Sequence, residues 1–166
     1  CYHRPYIAKY SNTGTAVTYS DGMKLGRGVE LKLDIDTADD NNFYADNVVA
    51  ETETSQFIGG NVTTTVDGLE PAAATLALGL PETQNVEVGS KQVGFQPYGA
   101  GMEPPYLGFG CVRRTMMNGK TQYWPFILPK IRYSIPSEEM ATQEENIDWQ
   151  TQELSATVLR DDTEAQ

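Results

Sequence analysis

A cluster of closely spaced aspartates is the feature of this chain best suited to bind a hard cation; its members are Asp34, Asp36, Asp39 and Asp40. Carboxylate oxygens are the ligands that Ca²⁺ prefers in proteins. The spacing does not fit an EF-hand loop, because Ala38 stands where a third ligand belongs, Asp39 replaces the glycine and Ala45 replaces the closing glutamate. We therefore expect no metal site and interpret the cluster as a solvated or inter-subunit acidic loop.

Residues for catalysis are sparse. His3 is the only histidine and stands near the start of the chain, so a Ser-His-Asp or Cys-His site would have to be built from a chain end. No P-loop, CxxC or HExxH motif is present. A glycosidase-type carboxylate pair needs only spatial closeness, and among 23 acidic residues such a coincidence carries little information. We interpret Glu138 and Glu139, which follow a proline turn, as a loop cap. The sequence predicts neither an enzyme nor a cofactor site.

Aromatic residues leave two interpretations open. Tyr123, Trp124, Phe126 and Trp149 could form a platform for binding carbohydrate, or they could fill the core or a subunit interface. Alternation with polar residues favours the core for Trp149. The platform remains open for Trp124, which precedes a proline on an irregular strand.

Charge and length bound the function further. The 166-residue chain has 23 acidic and 12 basic residues and a net charge of −11, which disfavours binding to a nucleic-acid backbone but not the passage of DNA nearby. A chain of this size is expected to form a single domain, 1–166, with a substantial core. The sequence has no apolar run long enough to span a membrane and no signal segment. Cys1 and Cys111 are expected to be unpaired thiols.

Regular alternation predicts the central strands. One strand places Val29, Leu31, Leu33 and Ile35 on one face, and another does the same with Val62, Thr64 and Val66. A period of two is typical of an antiparallel sheet with one buried and one wet face. The predicted wet face, extended to two further strands, carries Glu30, Lys32, Asp34, Asn61, Thr63, Thr65, Asp67, Lys130, Arg132, Asp148 and Gln150.

The segment 36–55 between those strands is far longer than a compact hairpin needs. Its apolar side chains are Phe43, Tyr44, Val48 and Val49, and its acidic ones include Asp39, Asp46 and Glu51. Such a segment is too polar to build its own core. We expect it to become ordered on a neighbouring subunit.

The remaining elements follow from helix and turn signals. We predict an N-terminal arm with a hairpin (1–25), a helix (Leu69–Gly79), an irregular excursion (Pro81–Pro105), a hairpin turning at Asn118-Gly119 (Tyr106–Pro136), a last strand (Ile147–Leu159) and a flexible tail (161–166). The fold class is therefore mainly β: a β-sandwich or half-open barrel of antiparallel strands with one flanking helix. We expect the strands at 27–36 and 147–159 to join a four-stranded sheet whose edges pair with neighbouring subunits.

Three blocks resemble the major tail proteins of long-tailed bacteriophages, in the phi13-type family. They are GRGVELKLDIDTADDNNFYADNVVAET, PYLGFGCVRRTMMNGKTQYWPFILPK and IPSEEMATQEENIDWQTQELSATVL, in family order over roughly residues 26–159. Two departures are a longer Gly/Pro-rich excursion at 81–105 and Ser155-Ala156 where the family commonly has Gly-Thr. Both affect loop geometry rather than the strand pattern.

The resemblance implies a structural protein of the virion, assembled in the bacterial host cytoplasm. Such proteins form hexameric rings, and stacked rings form the tail tube through which viral DNA passes without specific binding. Their partners are further copies and other tail proteins: the tape measure, the tail terminator and the distal tail protein. The long loop and terminal arms would contact neighbouring subunits, and the wet face defined above would line a mixed but net negative lumen. The alternative is a monomeric β-sandwich module that binds glycans at a surface.

Overall fold

The structure is a computed structural model that describes residues 2–39, 41–45, 48–53, 57–81, 84–95, 97, 101–135, 151–160 and 162, with only the backbone at 41–45 and 48–53. Eleven strands and one helix occur there. The strands are β1 (Tyr2–Asn12), β2 (Val17–Lys24), β3 (Arg27–Thr37), β4 (Asn41–Ala45), β5 (Val48–Glu53), β6 (Phe57–Asp67), β7 (Gln84–Val88), β8 (Lys91–Phe95), β9 (Leu107–Met117), β10 (Lys120–Tyr133) and β11 (Thr151–Leu159); the helix α1 is Pro71–Leu78. Every strand pairing is antiparallel, which confirms the mainly-β class with one short helix.

Seven strands form one sheet in the order β2-β1-β9-β10-β11-β6-β3, and β4-β5 and β7-β8 form separate two-stranded sheets. The large sheet curls until β1 lies beside β3. The link between β2 and β3 fixes this approach, since the Leu25 amide donates to the Pro5 carbonyl at 2.9 Å. The Tyr2 ring also lies directly over Gly28, where a β-carbon would approach it to 2.5 Å. The architecture is accordingly a half-open barrel.

The core fills the concave side of the sheet, and α1 contributes part of it. Ala73, Ala77 and Leu78 of the helix are buried together with residues from β1, β6, β9, β10 and β11. Pro71 stands in the first turn, where its missing N–H costs nothing. Gly79 ends the helix at a φ of 62°, the left-handed conformation that glycine adopts without strain. The predicted helix is confirmed.

The alternation of β6 is confirmed, whereas that of β3 is only partly so. Val62, Thr64 and Val66 are all fully buried. On β3, Leu31 and Leu33 pack against the core, but Val29 is 53% exposed and Ile35 is 47% exposed. A register shift between Gly28 and Glu30 displaces Val29 from the regular alternation, and Ile35 faces Gly60, which has no side chain to pack against it. The prediction that both are buried is wrong for these physical reasons.

Strand order corrects two further predictions. The sheet expected to have four strands has seven, because β1, β2 and β9 continue it beyond β10. β3 lies at an edge of the large sheet, as expected, but β11 pairs with β10 on one side and with β6 on the other. The last strand is therefore interior, because alternation reports which face is buried and not which strands are neighbours. Residues 147–150 lie outside the described part.

The two hairpin regions agree with their turn chemistry. Asn118 and Gly119 have φ angles of 52° and 74°, the pair of positive values that a tight two-residue hairpin turn requires, so this prediction is confirmed. The 81–105 excursion contains the short hairpin β7–β8. The acidic segment, expected as a loop, contains the hairpin β4–β5. Phe43, Tyr44 and Val48–Val49 favour strands, and Asp46-Asn47 between them is a turn-forming pair, so the sequence did hold this signal.

Close approach of two backbones at Gly60 yields a test of the fold. A β-carbon there would meet the Asp34 carbonyl oxygen at 2.5 Å, and backbone cannot move aside cheaply. Gly60→Ala should lower the free energy of unfolding by about 1–3 kcal/mol through overpacking. Gly22→Ala is the matched control, because nothing lies within 4 Å of its β-carbon position, and it should stay within about 0.5 kcal/mol of wild type. Urea denaturation measures both; equal stability of the two variants would contradict this account of the β3–β6 contact.

Candidate assembly surfaces

The predicted wet face exists as an ordered array across β3, β6 and β11. Paired residues in an antiparallel sheet project to the same side. The rows are Glu30–Thr65–Glu153, Lys32–Thr63–Ser155 and Asp34–Asn61–Thr157. Glu30, Lys32 and Asp34 are exposed, and the Lys32 ammonium lies 3.2 Å from the Asp34 carboxylate. The structure thus brings the predicted residues of these strands together with Asp67, which is half-buried; Asp148 and Gln150 lie outside the described residues.

Lys130 and Arg132 of β10 project to the same face, since they pair with Leu159 and Thr157 of β11, but each is held there by an acidic partner. The Lys130 ammonium lies 2.8 Å from the Asp162 carboxylate and stacks over the rings of Tyr10 and Tyr106, at 5.1 and 4.7 Å from their centroids. Its side chain is only 13% exposed. Tyr10 donates a hydrogen bond of 2.7 Å to the same carboxylate, and the Asp162 amide donates back to the Tyr10 hydroxyl at 3.1 Å. We call Tyr10, Tyr106, Lys130 and Asp162 the C-terminal clasp.

Arg132 fastens the segment that enters β9. Its Nε donates to the Pro104 carbonyl at 2.9 Å, and its guanidinium lies 3.4 Å from the Glu103 carboxylate. Lys130 and Arg132 therefore each have an acidic partner on a neighbouring segment. At Asp162 the structure also differs from the expected flexible tail, because this residue is tied to β1 and β10.

The clasp shifts the ionisation of its members. The hydrogen bond from Lys130, and then that from Tyr10, hold the pKa of Asp162 below its ordinary value. The bond to Asp162 in turn raises the pKa of Lys130. Both shifts favour the ion pair, so the clasp is fully charged at neutral pH.

A second surface, which sequence reasoning missed, is the far end of the β9–β10 hairpin. β1 pairs with β9 only up to Arg113, which faces Trp124 across the hairpin, so residues 114–123 project beyond the sheet as a two-stranded tip. Residues 124–129 pair with the part of β9 that also pairs with β1, and their other edge is open because β11 pairs with β10 only from Lys130 onward. We call residues 113–129, the tip together with this open stretch of β10, the ribbon. Its exposed large apolar side chains are Met116, Met117, Tyr123, Trp124 and Ile127, between 52% and 72% exposed. The sequence signal was apolar residues on both faces around the Asn-Gly turn.

The ribbon geometry bears on the carbohydrate-platform alternative. Tyr123 and Trp124 are consecutive on β10 and so project from opposite faces. Phe126 shares the face of Trp124 but packs against the core. The Tyr123 ring instead lies 5.8 Å from the ring of His3. These aromatics therefore do not form one flat stacking surface, and Trp149 lies outside the described residues.

The predicted inter-subunit residues of the acidic segment are placed by their backbone alone. Phe43 and Tyr44 lie on β4, opposite Glu51 and Val49 of β5, and Val48 begins β5. Asp39 is described and exposed. Asp40 and Asp46 lie outside the described residues.

The described residues form neither a metal-binding cluster nor a reactive thiol. Within the described ranges, no group of three His, Cys, Asp or Glu residues is placed to hold a metal ion. Cys111 is buried, and burial raises the pKa of its thiol to about 11, so it is protonated and unreactive at neutral pH. No helix within these ranges has the length and apolar character needed to cross a membrane.

Acid should open the C-terminal clasp. Because the pKa of Asp162 is lower when docked, the contribution of the clasp is complete above the ordinary carboxyl pKa of about 3.9 and is lost as the pH falls through the docked value. NMR titration of the Asp162 amide, which donates to Tyr10, should show undocking only below about pH 4. In Asp162→Asn or Lys130→Met the amide should have lost its docked chemical shift already at pH 7. Lys32→Met, which removes an exposed ion pair, is the control and should leave it unchanged; a docked amide in Lys130→Met would refute the role of the ion pair.

Comparison with known proteins adds no assignment to these surfaces. No protein-family model matches the chain. No curated protein matches it either. The residues of the polar face, the clasp and the ribbon therefore carry the functional interpretation.

Proposed function

We propose that this chain is a structural subunit that self-assembles into stacked hexameric rings, forming the tail tube of a long-tailed bacteriophage through which DNA leaves the capsid. It acts without catalysis or cofactor. The three sequence blocks that resemble phi13-type major tail proteins support the proposal, and they coincide with β3 to β5, with the β9–β10 hairpin and with β11. The function is thus carried by surfaces rather than by a reactive site.

The observation that carries the proposal is the amount of unsatisfied surface on a single copy. The seven-stranded sheet ends in β2 and β3, whose outer backbone groups have no strand partner among the described residues. Unprotected edges and contiguous exposed apolar side chains favour association with further chains. The ribbon carries five such side chains. Its projecting part has only two strands, and an isolated two-stranded structure is marginally stable in water. Self-assembly would cover both features.

The polar face of β3, β6 and β11 suits the wall of a DNA conduit. Contacts from lysine and arginine to phosphate hold a nucleic acid in place, whereas a conduit must let it slide. Within the three rows described above Lys32 is the only cation on β3, β6 and β11, and it is paired with Asp34; Arg132 of β10 extends the third row beside Thr157. Lys130 and Arg132 are similarly occupied by Asp162 and Glu103. The proposed lumen is therefore mixed in charge, net negative and without a basic stripe.

The proposal defines partners and location. The partners are further copies of the chain and the tape measure, tail terminator and distal tail proteins, and the location is the virion after assembly in the host cytoplasm. DNA is cargo and not a bound ligand.

Electron microscopy of the purified chain tests the proposal directly. Negative staining over a wide range of protein concentration should show rings or tubes of uniform width. Isolated small particles at every concentration would contradict the proposal and favour the monomeric glycan-binding module. A glycan array on the same sample would then decide whether that alternative holds.

The lumen assignment has its own test. Changing Glu30, Asp34 and Asp67 together to lysine adds phosphate-binding charge to the polar face but leaves the buried face untouched. Tubes should still form, and a phage carrying the change should eject DNA more slowly or stall. Changing the exposed Glu70 and Glu87 to lysine is the control and should leave ejection normal. Unimpaired infection by the triple variant would overturn the assignment.

A further inference from the structure

Acidic and basic residues are segregated along the chain, to a degree that the alternation of polar and apolar residues in the strands does not explain. From Leu33 to Ser90 the sequence contains no lysine or arginine and carries acidic residues throughout. The ribbon has the opposite composition, since Arg113, Arg114 and Lys120 are its only charged residues. A molecule with a net charge of −11 thus presents one purely basic projection.

The ribbon combines this charge with apolar surface and open backbone. Its β10 strand, from Lys120 to Pro129, pairs only with β9 among the described residues, over a length of roughly 30 Å. Trp124 and Arg113 are register partners, as are Tyr123 and Arg114, so each face of the hairpin carries an aromatic side chain beside a cationic one. A surface of this composition binds an acidic surface that also offers apolar contacts.

The same chain carries such an acidic surface at the C-terminal end of β3. Asp36 and Asp39 are exposed there. Beside them Ile35 is 47% exposed on β3, and Phe57 and Ile58 at the start of β6 are 38% and 66% exposed. β3 is an edge of the sheet, so its outer backbone groups have no hydrogen-bonded strand partner among the described residues. We call Ile35, Asp36, Asp39, Phe57 and Ile58 the acidic edge.

The fold separates the two surfaces within one copy. β11 and β6 lie between β10 and β3 across the sheet, and β1 lies between β9 and β3 on the other side of the barrel. The two surfaces therefore do not meet within one copy. Two different patches that complement each other on the same chain produce a head-to-tail contact, which closes into a ring when the rotation between copies permits.

We propose that the ribbon of one copy binds the acidic edge of the next copy, with Arg113 and Lys120 facing Asp36 and Asp39 on one side of the joined strands and with Tyr123 covering Ile35 and Ile58 on the other. This inference rests on the proposed function and names the two surfaces that meet. The occupant is a second copy because the chain itself supplies a partner of opposite charge and similar apolar character. Each copy donates one ribbon and accepts one.

Charge reversal with mixing tests the pairing. Variant A carries Asp36→Lys and Asp39→Lys, and variant B carries Arg113→Glu and Lys120→Glu. Alone, each variant would oppose like charges at every contact and should remain monomeric in sedimentation velocity and by microscopy. Mixed in equal amounts, the ribbon of A meets the native edge of B and the ribbon of B meets the reversed edge of A, so alternating assemblies should form.

Controls and outcomes separate this inference from the proposed function. Glu87→Lys with Glu153→Lys, and Lys24→Glu with Lys91→Glu, change the net charge by the same amounts elsewhere and should assemble alone. Circular dichroism confirms that A and B retain the strand content of wild type, and a variant that does not is replaced by its Asn or Gln counterpart. If wild type assembles and A or B also assembles alone, or if the mixture stays monomeric, the pairing is wrong while the proposed function stands. If wild type never assembles, the proposed function itself fails.

Discussion

Burial of one apolar face by a sheet that curls on itself is the constraint on which the rest of this molecule depends. A flat seven-stranded sheet would leave that face open to water over its whole width. Here the direct link at Leu25 and the contact of Tyr2 with Gly28 bring β1 beside β3, and α1 completes the enclosure. The curl leaves two edge strands and a projecting hairpin outside the core, so the features that suit assembly are by-products of the way the core is closed.

The sequence contains the parts of this fold that depend on local chemistry. The buried set of β6, the ends of α1 and the turn at Asn118 each follow from residue type and spacing over a few positions. The exposure of Val29 does not, because it depends on a register shift beside Gly28, whose close neighbour Tyr2 is distant in sequence. The interior position of β11 is likewise a property of strand order, and the alternation of side chains within one strand carries no information about which strands are its neighbours.

The candidate surfaces divide in the same way. The rows on β3 and β6 were predictable because alternation assigns residues to faces. The clasp was not, since it joins Tyr10 to Asp162 across 152 positions and depends on how the end of β11 leaves the sheet. The ribbon lies between these cases: its composition is visible in the sequence, but its projection follows from where β1 and β11 stop pairing.

The distance of the Asn118-Gly119 turn from the core-packed part of the ribbon has a consequence for engineering the molecule. The hairpin changes register between Leu128 and Ile131, and Tyr19 holds the Pro129 carbonyl at 2.9 Å, so the core-facing ladder and the projecting ladder are joined at a fixed bend. Peptide inserted between Asn118 and Gly119 would extend a loop tip that contacts no buried side chain, and loop tips tolerate such insertions. Fusions at this position could therefore carry an affinity tag or a reporter on a folded subunit. If neighbouring copies bind one another through the ribbon, a chain with a small insert could still join the assembly. A chain with a large insert would instead stop further copies from adding to it.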